Sequence, residues 1–172
     1  MESFDIIRTK PSDKKALARL LGFKKILVEG EDMEITERHE DVQGARGAIR
    51  IAKGSQSALP SLIKEGSIAG AILDGLEIDK KLMLAMKDDN KILILNASSL
   101  TTSAKPQRIH AFFKMRNIVS YAMRIKCKVA LASLAESEEE LVSSMQLLEI
   151  ANMLCRNEAY ARKMISALGE II

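Results

Sequence analysis

Residues 90–135 read NKILILNASSLTTSAKPQRIHAFFKMRNIVSYAMRIKCKVALASLA, and this stretch decides the predicted fold. The apolar run Ile92–Leu95 predicts a buried strand, Gln107–Ile125 has the period of a long helix, and Val129–Leu131 predicts the next strand. A strand, a crossover helix and a second strand form a βαβ unit, in which the two strands are parallel. The stretch therefore predicts a parallel α/β fold.

The same stretch is strongly basic. It contains no Asp or Glu, while eight cationic side chains occur in it: Lys91, Lys105, Arg108, Lys114, Arg116, Arg124, Lys126 and Lys128. Because the whole chain has a net charge of only +3, the remainder is on balance negative. Such a local asymmetry is typical of a surface that binds a polyanion.

The predicted helix Gln107–Ile125 has one apolar face and one basic face. At 100° per residue, one set of side chains points to the core: Ala111, Phe112, Met115, Ile118, Val119, Ala122, Met123 and Ile125. The opposite face carries Phe113 and Tyr121 among cations, a composition that suits contact with RNA or with a protein partner. The alternative is a solvent-exposed basic helix whose two rings pack against a neighbouring element.

Length and composition narrow the class of protein. A chain of 172 residues can bury a substantial core, and we expect a single domain over residues 1–172. With four Phe, two Tyr and no Trp, that core must be aliphatic. Cys127 and Cys155 match no metal-binding or redox spacing and no signal peptide is apparent, which predicts a reducing, cytoplasmic setting. No apolar run is long enough to span a bilayer, so we expect no membrane insertion.

The rest of the chain alternates strands and helices. Six strands are predicted in all: Phe4–Ile7, Lys25–Glu29, Gly47–Ala52, Ile68–Leu73, Lys91–Leu95 and Val129–Ser133. Further helices are predicted at Pro11–Leu21, Asp32–Val42, Ser55–Lys64 and Asp79–Lys87, from Ser137 to Leu154 with Ser137 and Glu140 as a capping box, and at Glu158–Leu168. Since an eight-fold barrel typically needs about 250 residues, a barrel formed by this chain would be trimmed or incomplete.

Polar side chains follow several of the predicted strands: Glu29, Asp74, Asn96 and Ser133. In a barrel they would gather at the carboxyl rim, where barrel enzymes carry their active sites. The simpler interpretation is that such residues cap the following helices or form Asx turns, and no histidine or cysteine joins them. We favour capping.

Motifs for metal-dependent or nucleotide-dependent chemistry are missing. The two histidines, His39 and His110, form no HxH or HExxH pattern, and a carboxylate-only Mg²⁺ site has no support in the sequence. Residues 44–47 (GARG) form a GxxG outside the helical context of a KH domain, and neither a P-loop nor a GxGxxG is present. We therefore expect no catalytic residues, no metal site and no bound cofactor.

The second half of the chain resembles the archaeal ribonuclease P protein component 3 family, the counterpart of the eukaryotic thirty-kilodalton subunit. Leu76–Asp79 (LEID) and the helix after it resemble the family's Gly-Ile-Asp-His helix start, although Lys80 replaces the histidine. Arg108–Arg124 (RIHAFFKMRNIVSYAMR) is similar to the family's long helix, with its Arg-Asn pair at Arg116 and Asn117. The strand Lys91–Leu95, the turn Asn96–Leu100, the strand Lys128–Ser133, the helix to Leu154 and Ala159–Ile165 (AYARKMI) follow in the family's order.

The resemblance implies a trimmed TIM-barrel-like parallel β/α fold and a non-catalytic subunit of ribonuclease P, the ribonucleoprotein that removes the 5′ leader from precursor tRNA. The implied partners are ribonuclease P RNA, precursor tRNA and the RRM-like protein component 2, as pairs that can form a heterotetramer. Mg²⁺ would be used by the RNA. We predict RNA contacts at Lys105, Arg108, Lys114, Arg116, Arg124, Lys126 and Lys128, and partner contacts at Phe113 and Tyr121.

Two other functions remain open at this point. The chain could be a barrel phosphoesterase that uses the carboxylate rim, or a protein–protein scaffold without RNA, whose basic helix meets an acidic partner.

Overall fold

The computed structural model describes residues 2–37, 49–55, 57, 59–64, 68–73, 76–77, 79–102 and 104–171. The strands in them are β1 (Phe4–Ile7), β2 (Lys25–Val28), β3 (Met33–Thr36), β4 (Ile49–Gly54), β5 (Ile68–Leu73), β6 (Ile92–Asn96) and β7 (Lys128–Ala132). The helices are α1 (Lys14–Leu21), α2 (Leu59–Ile63), α3 (Lys80–Asp88), α4 (Ser98–Thr101), α5 (Lys105–Ile125), α6 (Ser144–Cys155) and α7 (Glu158–Ser166). Short 3₁₀ turns occupy Glu138–Glu140 and Ala167–Glu170.

All strand pairs are parallel. Strands β3 to β7 form a five-stranded sheet in chain order, and β1 pairs with β2 in a second sheet. Isolated bridges, Ile7 with Ala135 and Glu29 with Met33, connect the two sheets without extending the ladders. The fold is thus a trimmed TIM-barrel-like α/β arrangement, as expected, and its sheet is not closed.

Two layers of apolar side chains hold this arrangement together. An inner cluster takes residues from every strand, among them Ile6, Leu27, Met33, Ile51, Ile72, Ile94 and Ala132. Phe4 and Leu168 belong to the same cluster, so the C-terminal 3₁₀ turn helps to fill the end of the barrel at which the strands begin. A larger outer cluster packs the other strand faces against the helices. At Gly70 of β5 a Cβ atom would lie 2.7 Å from the Ile92 carbonyl oxygen, so only glycine fits there.

A buried carboxylate connects β1 to the end of β7. Asp5 is fully buried, and its Oδ1 accepts hydrogen bonds from the Ser133 amide (2.7 Å) and from the Ile6 amide (2.9 Å). The Ser133 hydroxyl donates to Asp5 Oδ2 at 2.5 Å. Burial raises the pKa of Asp5 to about 7, although the hydrogen bonds from Ser133 act in the opposite direction.

All six predicted strands are present, but two helix predictions are wrong. Within Asp32–Val42, residues Met33–Thr36 form β3 instead, because Met33 and Ile35 alternate with polar residues and face the inner cluster; residues 38–42 lie outside the described part. The helix predicted from Ser137 begins at Ser144, after a capping box of Ser143 and Gln146. The Glu140 carboxylate instead accepts a hydrogen bond from the Glu136 amide, and this contact stabilises the 3₁₀ turn Glu138–Glu140. Helix α4 was not predicted.

Candidate nucleic-acid interface

The long helix α5 carries most of the residues predicted to contact RNA or a protein partner. Pro106 lies in its first turn, where its missing amide proton costs nothing, and Lys126 ends it in a left-handed conformation. Its buried side chains are Met115, Ile118, Val119 and Ala122, which lie on the predicted core face. With 21 residues the helix spans about 30 Å, so its two ends reach different parts of the molecule.

The two predicted partner-contact rings differ in exposure. Phe113 is 56% exposed, and Ile109, one turn earlier, is 50% exposed. Tyr121 is half-buried against the outer cluster, and the Arg124 guanidinium lies over its ring at 5.4 Å from the centroid. Phe113 and Ile109 thus form the exposed apolar part of this face, whereas Tyr121 mainly packs against the barrel.

The seven cations predicted to contact RNA are spread along α5 and beyond it. Lys105 and Arg108 are exposed in the first turn, and Lys126 is exposed at the other end. Lys114 and Arg116 lie on opposite flanks, because two residues correspond to about 200° of helical rotation. The seven cations are therefore distributed along and around the helix and do not form one patch. We call them the basic band of α5.

Carboxylates lie beside Lys114 and Lys128 of this band. The Lys114 amine lies 4.0 Å from a Glu77 carboxylate oxygen, and Lys128, at the start of β7, pairs with Glu170 at 2.6 Å. Both pairs reduce the positive charge that a polyanion would meet there.

The first half of α5 also lines the mouth of the barrel, at the carboxyl ends of the strands. A cavity of about 660 Å³ opens there, and apolar side chains such as Ile72 and Leu134 form much of its lining. The polar part of the lining comes from Arg8, Lys53, Asn96, Ser99, Gln107, His110, Lys114 and Glu136. Each cation of the lining has a carboxylate beside it. Arg8 pairs with Glu29 at 2.8 Å and also with Glu136, and Lys53 pairs with Glu37 at 3.2 Å. All three cations that line the mouth are consequently paired with carboxylates.

The polar residues at strand ends act structurally. Asn96 Oδ1 accepts from the Ser98 amide (2.9 Å) and hydroxyl (2.8 Å), and so forms an Asx turn at the start of α4. Glu29 is held by Arg8, and Ser133 is held by Asp5. Asn96 alone of these three forms the predicted Asx turn, whereas Glu29 forms an ion pair and Ser133 hydrogen-bonds a buried carboxylate. Asp74, His39 and the GxxG at residues 44–47 lie outside the described residues.

Metal-ligating side chains do not cluster in the described ranges: no group of three or more His, Cys, Asp or Glu could hold a metal ion there. Nor does any helix in those ranges have the length and apolar character needed to cross a membrane.

Sequence reasoning missed Arg8 and Lys53, which belong to the mouth. Arg8 directly follows β1 and Lys53 is the next-to-last residue of β4, so their positions at strand ends were visible in the sequence. The prediction of the rim rested only on acidic, amide and hydroxyl side chains at strand ends. A cation at the end of a strand is placed at the mouth of the barrel in the same way.

The chain was compared with known proteins. No protein-family model matches the chain, and the curated proteins contain no match. Among solved structures, the chain is similar to one chain of a cryo-EM structure of archaeal ribonuclease P with mature tRNA. The TM-score is 0.71, the match covers 98% of this chain and 89% of that chain, and the sequence identity is 14%. This trimmed TIM-barrel-like fold is therefore shared with a chain of an archaeal ribonuclease P structure.

Proposed function

We propose that the chain is a non-catalytic protein subunit of ribonuclease P, which supports the RNA-catalysed removal of the 5′ leader from precursor tRNA in the cytoplasm. The observation that carries the proposal is the fold likeness, which extends over 98% of the chain and relates it to a chain from an RNA-containing complex. The ordered sequence resemblance of the second half to protein component 3 supports the same subunit.

The basic band of α5 suits the RNA-binding part of this function. Residues 90–135 contain no carboxylate, so an RNA strand along α5 would meet no repelling side chain from the helix itself. All seven predicted cations would neutralise phosphates, and Lys114 and Lys128 would do so by exchanging their carboxylate neighbours for RNA. Binding through phosphates releases counterions, and the affinity should therefore fall steeply with salt.

The apolar part of the same helix suits a protein partner. Ile109 and Phe113 are one turn apart and about half exposed, and an exposed aromatic anchor next to an aliphatic side chain is typical of a protein interface. The partner would be the RRM-like protein component 2, with two such pairs as a heterotetramer. Tyr121 would contribute only through the edge that the barrel leaves uncovered.

Catalysis is assigned to the RNA and its Mg²⁺ in this proposal. Among the described strand-end residues, Glu29 and Asn96 are already engaged by Arg8 and by the start of α4. A carboxylate-rim phosphoesterase would have to break these contacts to free its groups.

The experiment is reconstitution of precursor-tRNA cleavage with ribonuclease P RNA from the same organism, at moderate Mg²⁺. The chain is added with and without the RRM-like protein. We expect cleavage to increase only when RNA, chain and partner are all present. Cleavage by the protein without RNA would instead support the phosphoesterase, and folded protein that neither binds RNA nor stimulates cleavage would support the scaffold.

A matched pair of variants tests the partner contact. Phe113→Ala should abolish most of the partner-dependent increase, since truncation of a central aromatic anchor typically costs 2 kcal/mol or more of binding free energy, about 30-fold in affinity. Met145→Ala is the control, because Met145 is 64% exposed on α6 and outside the proposed contact. Equal effects of the two substitutions would contradict the assignment of this face.

A further inference from the structure

The connection between β2 and β3 lacks the helix that a βαβ unit normally has. It consists of Glu29–Asp32 only, all of which are described, whereas β1 is connected to β2 through α1. Gly30 makes the tight turn possible at φ 82°, and Asp32 Oδ2 accepts from the Val28 amide at 2.9 Å. The connection therefore contributes no helix to the outer layer next to α1.

A groove of about 840 Å³ lies beside α1 and the start of β2. Five cations line it: Lys14, Lys15, Arg19, Lys24 and Lys25. The one carboxylate in the lining, Asp13, is occupied as the cap of α1, where its Oδ1 accepts from the Lys15 and Ala16 amides at 3.0 and 2.9 Å. We call this feature the cationic groove.

Ion pairs neutralise only part of the cationic groove. Lys14 pairs with Asp32, and Lys24 pairs with Glu2 at 2.5 Å. Lys15 and Arg19 are exposed, lie one turn apart on α1 and form no ion pair within the described residues. The barrel mouth differs, because each of its three lining cations has a carboxylate beside it.

The apolar floor of the groove is closed to a ligand. Ala18, Phe23 and Ile26 lie at the floor with at most 7% exposure, since they belong to the outer cluster. A ligand would therefore meet the five cationic side chains that line the groove and not these buried residues, and phosphate groups are the natural partners of such a lining.

We infer that the cationic groove binds the phosphate backbone of RNA, without selecting its sequence, as a second contact separate from α5. The inference rests on the proposed function, because it assumes that RNA is the polyanion this chain meets. The missing β2–β3 helix is then the feature that opens the barrel wall to RNA.

The test measures binding of a fluorescent 20-nucleotide RNA hairpin to the full chain between 50 and 300 mM salt. The double variant Lys15→Glu/Arg19→Glu should weaken binding at least about 10-fold at 100 mM salt and should flatten the dependence of log K on log salt by one to two units. The control Lys80→Glu/Lys81→Glu makes the same charge change in the first turn of α3, on exposed side chains. It should bind within about 2-fold of the wild type.

A neutral variant, Lys15→Gln/Arg19→Gln, avoids repulsion between the two new glutamates and should show a smaller loss in the same direction. Circular dichroism and thermal melting establish that each variant is folded. A folded groove variant with wild-type affinity and salt slope would overturn the inference, as would an equal loss in the α3 control. Tighter binding of a polyglutamate peptide than of the hairpin at matched salt would also overturn it in favour of an acidic protein.

Cleavage assays separate this inference from the proposed function. If the groove variant binds RNA normally while the wild-type chain stimulates precursor-tRNA cleavage, the groove assignment is wrong and the subunit assignment stands. If RNA binding depends on the groove but the wild-type chain never stimulates cleavage, the groove is an RNA site in a different protein.

Discussion

The basic helix α5 and the cationic groove are both positively charged, but the origin of the charge differs. Helix α5 belongs to a stretch without a single carboxylate, yet the fold places Lys114 and Arg116 on different flanks and sets Glu77 beside Lys114. The groove comes from residues 1–37, which contain seven cations and eight acids. Its charge arises because the fold buries Asp5 and uses Glu29 and Glu37 at the mouth. Charge along a sequence and charge on a surface are therefore different quantities.

The largest expected effect comes from the α5 side of this comparison. Replacing Lys114, Arg116 and Arg124 together by Ala should lower RNA affinity about 100-fold at 100 mM salt, because each lost phosphate contact removes about 0.7 to 0.9 from the slope of log K against log salt. A salt titration of hairpin binding measures both quantities. The single change Arg116→Ala should cost more than Lys114→Ala, since Lys114 already has Glu77 beside it. A folded triple variant with unchanged binding would refute the assignment of α5.

An intermediate effect concerns Asp5, the acid that the fold removes from the surface. Its pKa of about 7 in the folded state is above the value near 3.9 of an unfolded chain. Between these values the folded state keeps a proton that the unfolded state has lost, so the free energy of unfolding falls as pH rises. From pH 5 to pH 8 this group should remove roughly 2 to 3 kcal/mol of stability.

The variant Asp5→Asn isolates this contribution. Asn retains the Oδ1 acceptor for the Ser133 and Ile6 amides and stays neutral, so its stability should lack this fall with pH. Urea denaturation of both proteins at pH 5, 6.5 and 8 measures the difference. Parallel pH profiles for the two proteins would show that Asp5 is ionised in the folded state.

The smallest effect is expected at the mouth. Lys53 pairs with Glu37, a largely exposed carboxylate, so Lys53→Gln should change the free energy of unfolding by less than about 1 kcal/mol. RNA affinity should change by about 2-fold or less, because the cations at the mouth are already paired with carboxylates. Hairpin binding and urea denaturation measure the two changes. A loss as large as that of the groove variant would transfer the second RNA contact from the groove to the mouth.

Local patterns in the sequence predicted most of the fold. Apolar runs such as Ile92–Leu95 marked strands because buried parallel strands need apolar residues on both faces. Strand β3 was missed although Met33 and Ile35 alternate with polar residues, because the high content of charged residues in this segment is typical of an exposed helix. The start of α6 was misplaced because two capping boxes, at Ser137 and at Ser143, compete and only contacts of the folded chain select the second.

The candidate site was less predictable because its charges are assembled over long distances in the sequence. The contact between Asp5 and Ser133 joins residues 128 positions apart, and no local pattern reveals it. The cationic groove depends on the absence of a helix between β2 and β3, which becomes visible only when β3 is recognised as a strand. The exposure of Phe113, by contrast, could be predicted directly from helical periodicity, which places it opposite the core face of α5.

Directed RNA cleavage from the protein surface tests the central claim most directly. A hydroxyl-radical-generating iron chelate is attached to a cysteine placed at Asn117 on α5, at Lys15 in the groove, or at Glu139 in the acidic 3₁₀ turn, after Cys155→Ser. Cys127 should stay unlabelled because it is 2% exposed and burial raises its pKa to about 11. In complexes reconstituted with ribonuclease P RNA and the RRM-like partner, we expect strong, discrete RNA cuts from positions 117 and 15 and clearly weaker cuts from 139, whose acidic turn lies beside α1 but repels phosphates. Equal cutting from all three positions, or none from 117 in an active complex, would contradict it.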